Sequence, residues 1–391
     1  MQKKHTIIAY ACEDTGSEPG VGYHWVKKIS ELTTTKDITV ITRKNNDVSN
    51  LIDTYNIKKI EIDLPDNLIF IKKIVGTRIY YLIWKFLVFV HLLNNFSNYN
   101  KGIVHHITFT PVYYPPIYFC IPFEFYWGPI GGGEKYPTAY YKSMKVRGLV
   151  GELFRSILKY TIYVNPLFYL GCYRSIKIIC STDETCQLIP KLYRNKVVVE
   201  LMVMDVDKND LVDSGDNTII IANRLINWKM THLFVDAFNS YSNISNNQFK
   251  LIIIGDGPCF NKIQPYIDNV RIFHHRRFKE RKEMLNILKN SSLFVSMSLR
   301  DSGAASLLEA ISYGIPYLIT DSGAHKLFLK NGIGYSFKLN NYNDDKTTII
   351  NLLSNLLNDK IKLQKERKKV KNFYNTVFSE AAKQKRLSEI F

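Results

Sequence analysis

Two acidic residues flank a run of very small side chains in the C-terminal half of the sequence. Asp301 precedes the run, which contains Ser302, Gly303 and Ala304, and Glu309 follows on a predicted helix. Small side chains let a ligand approach the backbone, and the first turn of a helix has unpaired N–H groups that attract anions. Glu309 lies among aliphatic residues, where a ligand hydroxyl could partner its carboxylate. Considered alone, however, the two acids are better explained by Asp301 capping the helix and Glu309 pairing with a lysine.

Two cations follow a predicted strand at 218–222. Arg224 comes directly after this strand and Lys229 is five residues further on. The carboxyl ends of parallel strands are where open α/β sheets bind ligands, and an Arg with a Lys suits a diphosphate. An ordinary surface pair is the preferred alternative if this motif stands alone.

Two glycine turns follow other predicted strands. Gly20 and Gly22 precede a predicted helix at 23–32, so this glycine loop could lead phosphate to a helix N-terminus. The segment Gly255-Asp-Gly-Pro258 also breaks a strand. Neither segment is Gly-x-Gly-x-x-Gly, and no P-loop lysine follows, which excludes the dinucleotide and P-loop fingerprints.

The elements that position these residues repeat a βα pattern, which predicts an α/β protein with parallel sheets. With 391 residues the chain is long enough for two domains. A polar stretch at 205–216 is the predicted linker, and its Asp205 and Asp207 form an Asp-x-Asp that could suggest a metal, although a solvated acidic loop is the stronger interpretation. Predicted strands occupy 6–9, 38–41, 59–62, 103–106, 123–127 and 176–180, and then 218–222, 250–254, 270–273, 293–296 and 317–320.

The composition limits the class of partner. A formal charge of +17 suits nucleic acid, anionic lipid or an anionic small substrate such as a nucleotide sugar. The six cysteines form no Cys-x-x-Cys pair, so we expect reduced core residues in a cytoplasmic protein. The apolar run near the N-terminus is too short for a secretory signal and is predicted to be the first strand.

One apolar segment, at 79–93, is shorter than a membrane span and carries Lys85 near its centre. It follows Lys72, Lys73 and Arg78. The sequence favours equally an interfacial helix on anionic lipid and a buried helix of the first domain.

Taken in order, these motifs resemble glycosyltransferase family 4, the retaining group 1 glycosyltransferases. The resemblance rests on Glu18-Pro-Gly-Val-Gly22, Arg224 with Lys229, Gly255-Asp-Gly-Pro258, and the acid-x7-Glu spacing from Asp301 to Glu309. The segment Trp127-Gly-Pro-Ile-Gly-Gly-Gly-Glu134 resembles a subgroup signature. The resemblance implies a GT-B fold, in which two Rossmann-like domains face each other across a cleft. The implied domains are 1–200 on the acceptor side, 201–370 for the nucleotide sugar, and a C-terminal helix at 371–391 that packs back on the first domain.

The resemblance also implies roles for individual residues. Arg224 and Lys229 would hold the donor diphosphate, and Glu309 would accept hydrogen bonds from the ribose hydroxyls. Asp301, which replaces the commoner Glu, would face the transferred sugar. The backbone around Ser302, Gly303 and Ala304 would contact the sugar and the distal phosphate, Gly20 and Gly22 would close over them, and Arg277-Phe278 would lie near the base.

A histidine after a strand of the first domain usually lies near the sugar in this family. The candidates are His105 and His106, whose side chains alternation directs to opposite faces of the sheet, so that one of them can enter the cleft. The sequence does not say which.

The implied reaction transfers a sugar with retention, without a bound metal or cofactor, from a nucleotide sugar to a glycan or lipid-linked acceptor. Bacterial surface polysaccharide assembly, at the cytoplasmic face of an anionic membrane, is the expected setting. A nucleotide-sugar epimerase or a phosphorylase-like enzyme of similar fold is the alternative among enzymes. A basic nucleic-acid-binding protein is the alternative outside them, but no zinc finger, RNA-binding aromatic motif or helix-turn-helix spacing supports it.

Overall fold

The structure is a computed structural model, and it describes residues 4–14, 16–33, 37–109, 111–144, 146–201, 216–245, 248–278, 280–329 and 332–391. These residues form two compact units. Unit 1 consists of Met1–Gly133, Gly151–Asp205 and Gln384–Phe391, and unit 2 consists of Glu134–Val150 and Val206–Lys383.

Unit 1 is built on a seven-stranded sheet in which every pair of neighbouring strands is parallel. The strand order is β3-β2-β1-β4-β5-β6-β7, so the chain reverses its direction of winding between β1 and β4. The strands are β1 (His5–Ala9), β2 (Ile38–Thr42), β3 (Lys58–Glu61), β4 (Ile103–His106), β5 (Glu124–Ile130), β6 (Ser175–Cys180) and β7 (Val197–Val199).

Helices cover both faces of this sheet, as a fully buried parallel sheet requires. One core cluster contains Trp25 of α1, and the cluster on the other face contains Trp84 of α3 together with Phe168 of α6. The helices are α1 (Ser17–Leu32), α2 (Ser49–Tyr55), α3 (Ile71–Asn94), α4 (Phe96–Tyr99), α5 (Val146–Thr161), α6 (Pro166–Arg174) and α7 (Asp183–Cys186). Helix α5 contains residues of both units and belongs to unit 1 from Gly151 onward.

Unit 2 has a six-stranded, all-parallel sheet with the order β10-β9-β8-β11-β12-β13. Its winding reverses between β8 and β11. The strands are β8 (Thr218–Ala222), β9 (Lys250–Ile254), β10 (Ile272–His275), β11 (Leu293–Ser296), β12 (Tyr317–Thr320) and β13 (Tyr335–Phe337). The helices are α8 (Thr231–Ile244), α9 (Arg281–Lys289), α10 (Ala305–Ser312), α11 (Tyr342–Leu357), α12 (Lys360–Phe373) and α13 (Glu380–Ser388), the last of which contains residues of both units.

The predicted α/β class with parallel sheets is confirmed, and all eleven predicted strands overlap observed strands. One local prediction is wrong: α1 begins at Ser17, so Gly20 and Gly22 lie inside the helix and not in a loop before it. The side chain of Glu18, in the first turn, accepts a hydrogen bond from the Phe109 N–H at 2.8 Å and so fixes this early start. The predicted linker, including Asp205 and Asp207, lies outside the described residues except for Asp216.

The six cysteines are all free, as expected. Four of them are buried, whereas Cys120 is exposed and Cys186 is partly exposed. The expectation of core residues therefore holds for most of the cysteines but not for Cys120.

Helix α3 is the one described helix that has the length and apolarity of a membrane span. It is interrupted at Gly76, and its inner face packs in the core through residues such as Trp84 and Val88. Lys85 also lies on this inner face, where it donates to the Tyr114 carbonyl at 2.8 Å and burial lowers its pKa to about 7. The outer face is exposed and apolar, and consists of Ile79, Leu82, Phe86, Val90 and Leu93. The helix thus combines a core face with an apolar surface.

Three buried histidines of unit 1 predict acid sensitivity. Burial lowers the pKa of His5 from 6.5 to about 4 and that of His105 to about 3, and it lowers the pKa of His106 well below 6.5. The unfolded chain therefore binds protons that the folded unit does not, and stability is lost as the pH falls below 6.5. We expect the free energy of unfolding of unit 1 to fall by about 2 kcal/mol between pH 7 and pH 6. Urea unfolding followed by tryptophan fluorescence measures this change, because Trp25, Trp84 and Trp127 lie in unit 1. An unchanged free energy over this range would contradict the prediction.

Candidate functional site

The predicted donor-binding residues of unit 2 follow the two strands between which the winding reverses. Arg224 and Lys229 follow β8, and Asp301 follows its neighbour β11. Loops after such strands diverge to opposite faces of the sheet and leave a crevice, which is where ligands bind in open α/β sheets. The residues that the sequence selected for their chemistry thus follow the two strands at the reversal of winding in unit 2.

The cations occupy different environments in the loop after β8. Arg224 is exposed and makes no ion pair with a residue that the structure describes. Lys229 ends a short 3-10 helix and is partly buried. Gly255, after β9, has a φ of 139°, and a Cβ atom there would lie 1.8 Å from the Asn223 carbonyl oxygen. Glycine at this position thus lets the turn after β9 pack against the loop that holds Arg224.

Both carboxylate oxygens of Asp301 have partners. Oδ2 forms an ion pair with Lys229, and Oδ1 accepts hydrogen bonds from the N–H groups of Gly303 at 3.1 Å and Ala304 at 3.3 Å. Burial raises the pKa of Asp301, but the positive charge of Lys229 and the nearby His325 outweigh this effect and hold the pKa well below its usual range. Asp301 therefore stays ionised and joins the loops after β8 and β11, so it both shapes the small-residue loop and pairs with a cation.

The small-residue loop leads into α10 through Ala304, which has a φ of 49°. The first helical hydrogen bond runs from the Leu308 N–H to the Ala304 carbonyl at 3.0 Å. The N–H groups of Ala305 and Ser306 precede this bond and have no acceptor within the helix. Ser302 and Gly303 are partly exposed beside them. These backbone donors can bind an anion such as a phosphate.

Glu309 lies one turn into α10 and forms an ion pair with Arg281, at the start of α9. The Glu309 side chain is largely buried, whereas that of Arg281 is mostly exposed. The alternative that the sequence offered, an ion pair to Glu309, is thus observed, although with an arginine. A ligand hydroxyl would compete with this exposed guanidinium for the carboxylate.

A set of residues after β12 supports the Asp301 loop and was not predicted from the sequence. The Ser322 hydroxyl donates to the Ser298 carbonyl at 2.6 Å, and the Ala324 N–H donates to the Asp301 carbonyl at 2.8 Å. His325 is fully buried beside them, where burial lowers its pKa to about 4. The sequence held a signal for these residues, because they follow the predicted strand at 317–320, the next strand after the one that leads to Asp301.

Arg281 is the other residue that was missed. It is one of several cations in a basic segment after β10, and the sequence offers no signal that distinguishes it from Arg276 or Arg277. Phe278, which was expected near the base, lies 4.9 Å from the His275 ring between ring centres.

The glycines predicted in unit 1 lie at its own reversal of winding, between β1 and β4. Gly22 packs so closely that a Cβ atom would lie 2.0 Å from the Ala11 carbonyl oxygen, after β1, and 2.8 Å from Thr108, after β4. Gly20 is also buried, but a Cβ atom there would meet nothing within 4 Å. Burial raises the pKa of the neighbouring Glu18, and the N–H of Phe109 opposes this shift.

Both candidate catalytic histidines are fully buried in unit 1. The Nε2 atom of His105 is 2.8 Å from the Gly128 carbonyl oxygen. His106 is hydrogen-bonded on its two nitrogens to the hydroxyls of Tyr81, at 2.9 Å, and Tyr118. Burial lowers the pKa of each histidine, so both rings are neutral at pH 7. Their catalytic role stays a prediction.

Within the described ranges, no three His, Cys, Asp or Glu side chains form a group that could hold a metal ion. The candidate site in unit 2 offers charged side chains and backbone N–H groups. These are suited to binding and stabilising a phosphate-bearing ligand.

Known proteins are similar to this chain in two ways, in the second part of its sequence and in its whole fold. Residues 205–373 match the family described as glycosyl transferases group 1. No curated protein sequence matches the chain. The structure of HepE from Anabaena in complex with UDP is similar with a TM-score of 0.64 and 10% identity, over 99% of each chain.

Two further solved structures are similar over nearly the same length. The apo form of WaaB, a lipopolysaccharide outer core galactosyltransferase, has a TM-score of 0.63 and 13% identity, over 99% of each chain. A glycosyltransferase from Rickettsia africae has a TM-score of 0.59 and 15% identity, over 99% of this chain and 97% of its own. The chain thus has the GT-B fold of glycosyltransferases, and its second unit matches the group 1 family over residues 205–373.

Proposed function

We propose that this protein is a retaining glycosyltransferase of family 4 that transfers a sugar, of the hexose type, from a nucleotide sugar to a glycan or lipid-linked acceptor. The observation that supports it most is the convergence of three features at the reversal of winding in unit 2. These are the cations after β8, the acidic loop after β11, and the N-terminus of α10. UDP is bound in the HepE structure, which supports a nucleoside diphosphate as the ligand.

The reaction needs a site that stabilises the negative charge of the departing diphosphate. Arg224 is exposed and unpaired among the described residues, and Lys229 has two further ammonium protons beyond its bond to Asp301. With the N–H groups of α10 they supply this stabilisation electrostatically. In the proposed reaction the acceptor hydroxyl attacks from the same face as the leaving phosphate, and this phosphate accepts the proton of the hydroxyl. The sugar is transferred with retention and without metal or cofactor.

The proposed acceptor belongs to bacterial surface polysaccharide assembly, in which growing chains are carried on lipid. The exposed apolar face of α3 and the net charge of +17 support work at the cytoplasmic side of an anionic membrane. An epimerase would turn over the nucleotide sugar without an acceptor. Donor turnover that requires a lipid-linked acceptor therefore supports transfer, and an inverted product would contradict the retaining mechanism.

Thermal shifts with nucleotide sugars test the donor site. We expect one of the UDP, GDP, ADP or TDP sugars to raise the melting temperature. Arg224→Ala and Glu309→Ala are each expected to weaken this ligand by about tenfold or more and to remove the shift, because each loses a charge-assisted hydrogen bond. Lys369→Ala, which removes an exposed cation of α12 in the same unit, is the matched control and should keep the shift. Shifts retained by both site variants would remove these residues from the donor pocket.

A further inference from the structure

Helix α5 presents its apolar face to the surface. In the part of the helix that belongs to unit 1, the large apolar residues recur at the spacing of one helix face. These residues, Leu153, Phe154, Ile157 and Tyr160, are between 49% and 68% exposed. A surface helix normally turns such a face toward the core, so the orientation of α5 is inverted.

The polar face of α5 is used by the protein itself. The Lys159 ammonium donates to the Gly133 carbonyl at 3.0 Å, and the Arg155 guanidinium donates to the Gly132 carbonyl at 3.4 Å. Glu152, on the same side, is buried. These contacts fix the helix to the glycine segment, residues 131–133, that follows β5. Helix α5 therefore cannot roll to bury its apolar residues without breaking these hydrogen bonds.

The segment that follows α5 in the chain, and helix α3, also expose apolar residues. Ile162 and Phe168, which follow α5, pack in the same core cluster as Trp84 of α3, and hence α6 and α3 cover the same face of the sheet. The residues that these elements expose are also large and apolar or aromatic. They are Tyr163, Val164, Tyr169 and Tyr173 after α5, and Ile79, Leu82, Phe86, Val90 and Leu93 on α3. Isolated exposed apolar residues are ordinary, but so many on one side mark an interaction surface.

The charge of this side identifies the partner. In unit 1, residues 67–133 and 151–182 contain 9 Lys and Arg, of which Lys85 is buried, but only 2 Asp and Glu, Glu124 and Glu152. Glu152 is buried, so Glu124 is the exposed acid of these segments. An apolar helix face with tyrosines and surrounding cations fits the interface of an anionic bilayer. A second copy of this surface would carry the same excess of positive charge and repel it.

We propose that the exposed face of α5, continued by α6 and α3, is a docking surface for an anionic lipid bilayer. The proposal deepens the proposed function, on which it rests for the lipid-linked acceptor, by naming α5 as the contact. Docking would hold the bilayer directly behind the glycine segment that Arg155 and Lys159 bind. Its test measures lipid binding alone, so its failure would leave the donor-site experiments unaffected.

The experiment is co-sedimentation of the full chain with vesicles of phosphatidylcholine, with and without phosphatidylglycerol, at low and high salt. We expect binding that requires phosphatidylglycerol and weakens with salt. The variant Phe154→Gln with Ile157→Gln should partition at least about tenfold less, because two apolar side chains no longer enter the interface. Tyr160→Ser with Val164→Ser is a second, independent pair. The matched control, Ile244→Gln with Ile361→Gln, removes equally exposed apolar residues from unit 2 and should bind as the original chain does.

Three results would overturn the proposal. The first is no binding of the original chain to either vesicle, and the second is undiminished binding by both α5 variants. The third is an α5-dependent dimer in gel filtration that persists in the presence of vesicles, which would assign the surface to a second copy of the chain.

Discussion

Replacing Lys229 with methionine is expected to abolish detectable binding of the nucleoside diphosphate, whether UDP or another, and to destabilise unit 2. The pKa of Asp301 lies well below its usual range, mainly because the charge of Lys229 overcomes the effect of burial. Without the lysine, a largely buried carboxylate keeps its negative charge with no ion-pair partner, which costs about 2–3 kcal/mol of the free energy of unfolding. The same charge would then repel an incoming diphosphate.

A double-mutant cycle separates these two effects. Asp301→Asn added to Lys229→Met removes the unpaired charge, so the free energy of unfolding should recover in part, while nucleotide binding should stay lost. Lys346→Met is the control, because Lys346 forms a comparable ion pair with Asp236 at 2.8 Å in the same unit. Calorimetric titration and urea unfolding measure the two quantities. Nucleotide affinity within twofold of the original in Lys229→Met would show that Lys229 does not contact the phosphates.

The strands were predictable because each buried parallel strand is a short apolar run rich in β-branched residues. The two that the sequence analysis missed, β7 and β13, have three residues each and form edges of their sheets. Their residues are largely half-exposed, so the runs are too short and too mixed to stand out from loops. The start of α1 was missed for another reason. Its first two turns contain Pro19 and two glycines, which indicate a turn in isolation. A contact from Glu18 to the distant Phe109 decides the outcome.

The location of the candidate site was also predictable, because loops at the carboxyl ends of parallel strands meet at one edge of the sheet. The pairing of charges was not. Lys229 could have served a ligand or an acid, and Glu309 could have paired with any of many cations. The observed partners, Asp301 and Arg281, depend on distances of a few ångströms between loops from different strands. Spacing along the chain does not carry that information.

The orientation of the apolar helices could not be predicted from the sequence either. The segment at 79–93 supported a core helix and an interfacial helix to the same extent, and α3 has one face of each kind. In α5 the amphipathic pattern is plain, but pattern alone predicts that the apolar face is buried. The hydrogen bonds of Arg155 and Lys159 to the glycine segment reverse that expectation, and they are visible only in three dimensions.

Gly22→Ala is expected to lower the free energy of unfolding of unit 1 by about 3 kcal/mol or more, the upper range for overpacking. The new methyl group would lie 2.0 Å from the Ala11 carbonyl oxygen and 2.8 Å from the Thr108 side chain, so the backbone at Ala11 would have to move. Since Ala11 follows β1 and Thr108 follows β4, the displacement would open the reversal of winding in unit 1. The expected loss is therefore larger than the ordinary effect of a single methyl group.

Gly20→Ala provides the matched comparison within the same turn of α1. A Cβ atom at Gly20 meets no atom within 4 Å, and Gly20 has no positive φ. Alanine is favoured over glycine in a helix by about 0.5–1 kcal/mol, so this variant should be as stable as the original or slightly more so. Urea unfolding followed by the tryptophans of unit 1 compares the two variants. Equal stabilities would show that α1 does not pack against the loops after β1 and β4. A large difference would show that glycine is required at position 22 and not at position 20.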